Sequence, residues 1–153
     1  MNRITAIVIA AIATYSLPPA ALGHSAAAPR AVVAAKLNGN GNCNAHYIRS
    51  SGSTLIEEGP CSGSLSGKLH ATVRVGATLS GTFVFYTRFG QIKGHGSAKP
   101  HNGKDGIESF AGTLVVTGGT GRYTHAHGTA GLYGTFDRRN YAVVAQTRGT
   151  LYY

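Results

Sequence analysis

Two histidines with metal-binding spacing are the first residues in this chain whose type and position indicate chemistry. His125 and His127 are separated by one alanine, so a strand places both imidazoles on one face, a spacing that can hold Zn²⁺ or Cu²⁺. A third ligand has to come from elsewhere in the chain, with His70, His95 and His101 as the candidates. We therefore predict no metal and no other cofactor, and place the pair in solvent or in a subunit contact.

Acidic side chains, the usual general acids and bases of enzymes, are scarce. The chain has five, Glu57, Glu58, Asp105, Glu108 and Asp137, and charged residues make up 12% of it against ~25% in ordinary globular proteins. Glu57 and Glu58 precede a Gly-Pro pair, which predicts a solvated turn, with an acid at a barrel mouth as the alternative. Neighbouring side chains on a strand face opposite ways, so the two are no catalytic pair by default. The sequence leaves enzymatic activity open and leans against it.

The first residues have the pattern of a secretory signal peptide. One basic residue, Arg3, precedes a 14-residue apolar stretch, and small residues follow it at a suitable cleavage site near Gly23. The stretch is shorter than the ~20 residues that cross a bilayer as a helix. We predict a signal peptide over 1–23, a flexible segment over 24–42, one domain over 43–153, and a secreted or extracytoplasmic location.

Cys43 and Cys61 are the two cysteines of the chain. In an exported protein an even and minimal count predicts one disulfide, which here closes a loop of 18 residues. The alternative is a reactive thiol, because residues 59–63 read Gly-Pro-Cys-Ser-Gly and match a nucleophile elbow. That motif needs a helix after the cysteine, and no helical pattern follows. The disulfide is the favoured interpretation.

Short segments with a two-residue hydrophobic period dominate the chain after Cys43. Glycine, at 22 positions, is frequent between them, and no segment keeps a helical period over three turns. The eight predicted strands cover 44–50, 54–57, 65–75, 78–89, 91–99, 107–117, 125–136 and 141–152. Eight antiparallel strands can close on themselves and remove both exposed edges. We predict an all-β, eight-stranded antiparallel barrel, with a β-sandwich as the main rival.

The same alternation predicts which side chains enter the barrel. The candidate ligand-binding residues of the interior are Leu69, Val73, Phe83, Phe85, Leu114 and Leu132. Some strands are apolar on both faces; Val84 and Tyr86, for example, alternate with the two phenylalanines. A strand buried on both sides needs a second cover, which predicts a homo-oligomer.

A glycine-rich motif separates the sixth and seventh predicted strands. Residues 116–123 read Val-Thr-Gly-Gly-Thr-Gly-Arg-Tyr, and the motif positions are Gly118, Gly119, Thr120, Gly121, Arg122 and Tyr123. Consecutive glycines let the chain reverse in little space, the threonine can bond to local backbone, and the tyrosine can plug a barrel end. A phosphate-binding loop is the rival, but no Walker sequence and no βαβ unit surround the motif. We predict a structural corner.

This motif, with the small residues Ala126, Gly128 and Ala130 after it, resembles the dirigent proteins and the wider allene oxide cyclase-like barrel superfamily. The likeness is sharp over about 15 residues and looser over 63–153. It implies an eight-stranded barrel, a trimer, and an apolar small molecule held in the barrel mouth. The acidic and basic pocket residues of dirigent proteins have no recognisable counterpart here, so the resemblance carries over only the motif positions.

Three functions are consistent with these features. The favoured one is an exported barrel that binds or orients a small apolar molecule. The second is an envelope-associated structural or interaction protein whose basic surface, with a net charge of +9, contacts anionic envelope polymers. The third is a cyclase or isomerase, which would need an inward-facing ionisable group with a shifted pKa. The basic residues are dispersed and do not alternate with aromatics, so we predict no specific nucleic-acid partner.

Overall fold

Side chains alternate between inward and outward positions along the strands of this protein, and residues 67–74 show this pattern most clearly. Leu69, Ala71 and Val73 point into the interior, whereas Lys68 and Arg74 are exposed.

The computed structural model describes residues 34–153, and the predicted signal peptide lies outside that range. The strands are β1 (Lys36–Ser51), β2 (Thr54–Gly63), β3 (Gly67–Arg74), β4 (Leu79–Thr87), β5 (Gly90–His101), β6 (Ile107–Gly119), β7 (His127–Asp137) and β8 (Val143–Tyr152), with a 3₁₀ turn at Gly121–Tyr123.

The eight strands close into one antiparallel barrel. Each pairs with its neighbours in sequence, and β1 pairs with β8 from Lys36 opposite Tyr152 to Ala45 opposite Val143. The predicted all-β, eight-stranded antiparallel barrel is confirmed, and the sandwich alternative is wrong. Within residues 34–153 the structure has no helix with the length and apolar character that a membrane crossing requires.

The first strand begins earlier than the sequence predicted. We placed 24–42 in a flexible segment, but Lys36–Asn42 is the first half of β1 and pairs residue by residue with β8. Its inward positions include Gly39 and Gly41, which contribute no apolar signal to the sequence pattern. Outside the barrel, Thr150 Oγ1 donates a hydrogen bond of 2.8 Å to Asn38 Oδ1. The predicted boundary at residue 43 is therefore wrong, because the strand starts at residue 36.

The second strand runs through the Gly-Pro pair that predicted a turn. Gly59 lets β1 and β2 approach closely, because a Cβ there would collide with the Asn44 carbonyl oxygen. The β1–β2 pairing is interrupted at this point, so Pro60 lacks its N–H where no β1 partner requires it. As a result Glu57 and Glu58 belong to β2 and do not form a solvated turn.

Glycines on the inner surface make room for aromatic rings. A Cβ at Gly94 would lie 2.7 Å from the ring of Phe83, and a Cβ at Gly134 would lie 2.5 Å from the ring of Phe110. Buried clusters form toward the two ends of the barrel, Ile92, Tyr123, Ala126 and Leu151 at one and Ala98, Phe110 and Ala145 at the other. Between these clusters the interior is not filled by side chains.

Candidate functional site

The barrel interior contains a cavity of about 290 Å³. All six predicted candidates, Leu69, Val73, Phe83, Phe85, Leu114 and Leu132, line it. They come from β3, β4, β6 and β7, and each occupies an inward position of the two-residue alternation. The structure therefore brings the predicted residues together around one space, and their binding of a ligand stays a prediction.

Tyr123 closes one end of the barrel, which we call the closed end. Its side chain is only 1% exposed and packs with Ile92, Ala126 and Leu151. Its ring centroid lies 5.1 Å from that of Tyr153. The interior cavity therefore has a floor of packed side chains at this end.

The glycine-rich motif holds that tyrosine in place by binding the β4–β5 hairpin. The Thr120 amide donates to the Gln91 carbonyl (2.9 Å), and the Gln91 amide donates to Thr120 Oγ1 (3.1 Å). The Arg122 amide donates to the Phe89 carbonyl (3.0 Å). Gly121 has φ of +60°, which favours glycine, and it lies against the same hairpin. These contacts use the backbone groups that a phosphate loop would offer to a ligand, so the motif acts as a structural corner.

The opposite end of the barrel, which we call the mouth, opens into a second cavity of about 430 Å³. Leu55, Leu79 and Phe110 line both cavities, so the two are adjacent. At the rim, Arg138 forms an ion pair with Glu108 (2.6 Å). The mouth is therefore more polar than the interior that it leads to.

Glu57 enters the cavity from β2, two residues beyond Leu55. Its side chain is 4% exposed, and among the described residues that line the interior cavity it is the one that is ionisable. Burial raises the pKa of its carboxyl from 4.5 to about 7. Within residues 34–153 no ion pair joins this carboxyl to another side chain. The solvated turn predicted for Glu57 is wrong, because its strand continues and turns it inward.

Glu58 lies on the outer face and has the opposite environment. Its carboxylate contacts Lys68 Nζ, and His70 Nδ1 lies 2.9 Å from its second oxygen. Hydrogen bonds from Lys68 and His70 lower the pKa of Glu58. The pKa values of two adjacent glutamates of one strand are therefore shifted in opposite directions, because the two side chains face opposite sides of the barrel wall.

Cys43 and Cys61 face each other across β1 and β2, with Cα atoms 4.1 Å apart, and form a disulfide. Both residues line the interior cavity. The predicted pairing is confirmed, and the alternative of a reactive thiol has no free sulfur to support it among the described residues. The bond joins the two strands two residues from Gly59, where they approach closely.

The two histidines with metal-binding spacing are separated by a turn boundary. His125 precedes β7 and His127 begins it, and His127 Nδ1 lies 3.0 Å from the carbonyl oxygen of His125. The ring of His127 stacks on Tyr152, with 5.2 Å between centroids. In the part of the chain that the structure describes, no three metal-binding side chains come together. This pair is therefore part of the outer surface near the closed end.

Comparison of the chain with protein-family models, with curated proteins and with solved structures finds no match. The resemblance to dirigent proteins therefore rests on the motif and on the barrel architecture. The favoured sequence interpretation does not place Glu57 in the interior, whereas its alternative, an acid at the barrel mouth, allows for it. The sequence contains a signal for the inward position of Glu57. In a continuous strand, one face carries the alternate residues Leu55, Glu57, Gly59 and Cys61, so an apolar residue and a cysteine lie on either side of the glutamate.

Proposed function

We propose that this chain is an exported β-barrel protein that binds or orients a small apolar molecule in its interior. The cavity of about 290 Å³ between the mouth and Tyr123 is the observation that carries the proposal. It is about twice the ~150 Å³ of an engineered cavity that holds benzene, which is room for a two-ring molecule. Its lining is mainly aliphatic and aromatic, as in most small-molecule sites.

Membership of the dirigent and allene oxide cyclase-like superfamily is part of this proposal. The closed eight-stranded barrel and the structural corner at residues 118–123 support it. A homo-oligomer, a trimer by resemblance, is supported by a large apolar side chain on the outer wall of β4, where Tyr86 is exposed. Export is supported by the pattern of residues 1–23 and by the disulfide.

The test is binding of 6-propionyl-2-(dimethylamino)naphthalene, a neutral two-ring dye whose fluorescence shifts to the blue out of water. We expect saturable binding, and we expect Leu132→Trp to weaken it at least tenfold, because the larger ring occupies the cavity. Tyr133→Trp is the matched control. Its side chain is on the same strand, 54% exposed on the outer face, and should leave dye affinity unchanged.

Both variants also report where their new side chain lies. The natural chain has no tryptophan, so blue-shifted emission from the Leu132→Trp variant and water-like emission from the control confirm the two faces. Absence of saturable dye binding by the folded protein would reject the proposed function. Equal weakening by both variants would show that the dye binds outside the barrel.

An envelope-associated role is the second candidate, and a cluster at the closed end favours it. Phe89 at the tip of the β4–β5 hairpin is 45% exposed. The guanidinium of Arg88 lies 4.4 Å from the centre of its ring, and that of Arg122 lies 5.6 Å away. Arginines held against an exposed ring form a rigid cationic surface, suited to an anionic polymer.

Elution from phosphocellulose tests this second candidate. We expect a double Arg88→Ala, Arg122→Ala variant to elute at clearly lower salt than the parent protein. The matched control is Arg138→Ala, Arg139→Ala, which removes the same charge at the mouth, where both arginines form ion pairs. Equal shifts for the two variants would reject a specific role of the closed end.

A cyclase or isomerase is the third candidate and is less well supported. Glu57 is the inward-facing carboxyl with a raised pKa that such an enzyme requires. Acid–base catalysis commonly needs a second group to return or accept the proton. Among the lining residues of the interior cavity that lie within 34–153, Glu57 has no ionisable neighbour that could take this role. The favoured proposal is therefore binding without strong catalysis.

A further inference from the structure

Glu57 is a buried acid without a cationic partner in the described structure. Its side chain is almost completely buried, yet no lysine, arginine or histidine of residues 34–153 lines the interior cavity with it. Across β1 its register partner is Tyr47, and across β3 it is Ala71. The carboxyl therefore faces an apolar space from a wall that offers it no positive charge.

Two basic side chains of the neighbouring strand β3 are on the other side of that wall. Lys68 and His70 of β3 both contact the carboxylate of Glu58 on the outer face. They have outward positions in the alternation of β3, whereas Leu69 and Ala71 point inward. Both groups therefore interact with Glu58, and neither points into the cavity toward Glu57.

A carboxylate removed from water is costly unless a positive charge or hydrogen-bond donors compensate it. Protonation removes that cost at low pH, but once the carboxyl is ionised the described residues supply no cation in the cavity, and a ligand is the remaining source of positive charge. We propose that the cavity selects small molecules with an apolar body and one positively charged amine, and that Glu57 is the counter-ion of that amine. The inference rests on the proposed function and names its ligand class.

The position of Glu57 also orients such a ligand. Leu55 borders both the mouth and the interior, and Glu57 lies two residues, roughly 7 Å, further along β2. The ammonium group would lie just inside the mouth, and the apolar body would extend toward Phe85 and the closed end. An amine at that depth loses part of its hydration and gains a charge-assisted hydrogen bond in exchange.

The ionisation of Glu57 makes the preference depend on pH. With its pKa near 7, the carboxyl is mostly neutral at pH 6 and mostly ionised at pH 8. Tyr47 is the titratable group opposite it on β1, and Ala71 on β3 does not titrate. An amine that stays protonated over this range should therefore bind about tenfold more tightly at pH 8 than at pH 6.

The experiment compares 1-naphthylmethylamine with 1-naphthalenemethanol, which has the same ring system and a neutral hydroxyl. Titration calorimetry at pH 8 should show that the parent protein binds the amine at least tenfold more tightly than the alcohol. Glu57→Gln should remove this preference. Glu58→Gln, the adjacent change on the outer face, should leave the preference intact.

The outcomes separate this inference from the proposed function. If neither compound binds the folded parent protein, the proposed function fails and the inference falls with it. If both bind with equal affinity, or if Glu57→Gln keeps the preference for the amine, the inference fails and the apolar-ligand function stands. Should Glu57→Gln not fold, the pH arm decides on the parent protein alone, and an amine affinity that is constant from pH 6 to pH 8 overturns the inference.

Discussion

Replacing Tyr123 by alanine is expected to lower the free energy of unfolding by about 3–5 kcal/mol, the range for deleting a buried aromatic ring. The side chain is 1% exposed and is the largest fully buried one described. It contacts Ile92 and Leu151 at the closed end, and no neighbouring side chain can replace the lost ring because the strands around it are fixed by their ladders. Urea unfolding followed by circular dichroism measures the change.

The matched control for this prediction is Tyr133→Ala. That tyrosine is on β7 and 54% exposed, so its removal should change the free energy of unfolding by less than about 0.5 kcal/mol. Since small domains are stable by about 5–15 kcal/mol in total, the Tyr123 variant would lose a large share. A loss below about 1 kcal/mol for Tyr123→Ala would contradict a closing role for this residue.

The closed end was predictable from the sequence because its signals are local. Glycines at 118, 119 and 121 with an aromatic residue two positions later indicate a tight reversal and a side chain free to turn inward. The corner forms as expected, with Gly121 in the left-handed region. The partner of the corner, the hairpin at Phe89, could not be read from the motif, since nothing local specifies which distant turn it binds.

The strands were predictable wherever their inward positions carry apolar side chains. Leu69 and Val73 on β3, and Phe83 and Phe85 on β4, mark the inner face by themselves, and all four line the cavity. The first half of β1 was missed because its inner face includes Gly39 and Gly41. A glycine that faces a barrel interior is indistinguishable, by residue type, from a glycine in a flexible segment.

For the inward glutamate, turn propensity and strand alternation give opposite predictions, and the sequence favours the turn over an acid at the barrel mouth. Gly59 and Pro60 are turn residues in isolation, but in the barrel β2 lies between β1 and β3, and pairing with β3 continues through both of them. Pairing along a whole strand outweighs the local preference of two residues. Once the strand continues, the two-residue period requires Glu57 and Glu58 to face opposite ways. Glu57 shares the inward face with Leu55, and its carboxyl therefore lies in the cavity.

That opposite placement leads to the second large expected effect, a loss of stability at alkaline pH that depends on Glu57. Its pKa in the folded protein, about 7, is above the ordinary value of 4.5. A raised pKa means that the stabilising contribution is fully present below pH 4.5 and is lost as the pH rises through 7. Between about pH 5 and pH 9 the parent protein should lose about 2–3 kcal/mol of unfolding free energy through this group.

Glu57→Gln should abolish this loss, because an amide of the same shape does not ionise. The measurement is urea unfolding at several pH values, with the difference between variant and parent taken at each pH to cancel the titration of other groups. Glu58→Gln is the control with the opposite sign. The pKa of Glu58 is lowered by Lys68 and His70, so its contribution is present above pH 4.5 and disappears only as the solution becomes more acidic. A difference between Glu57→Gln and the parent that stays constant from about pH 5 to pH 9 would show that the carboxyl is hydrated and not buried in the cavity wall.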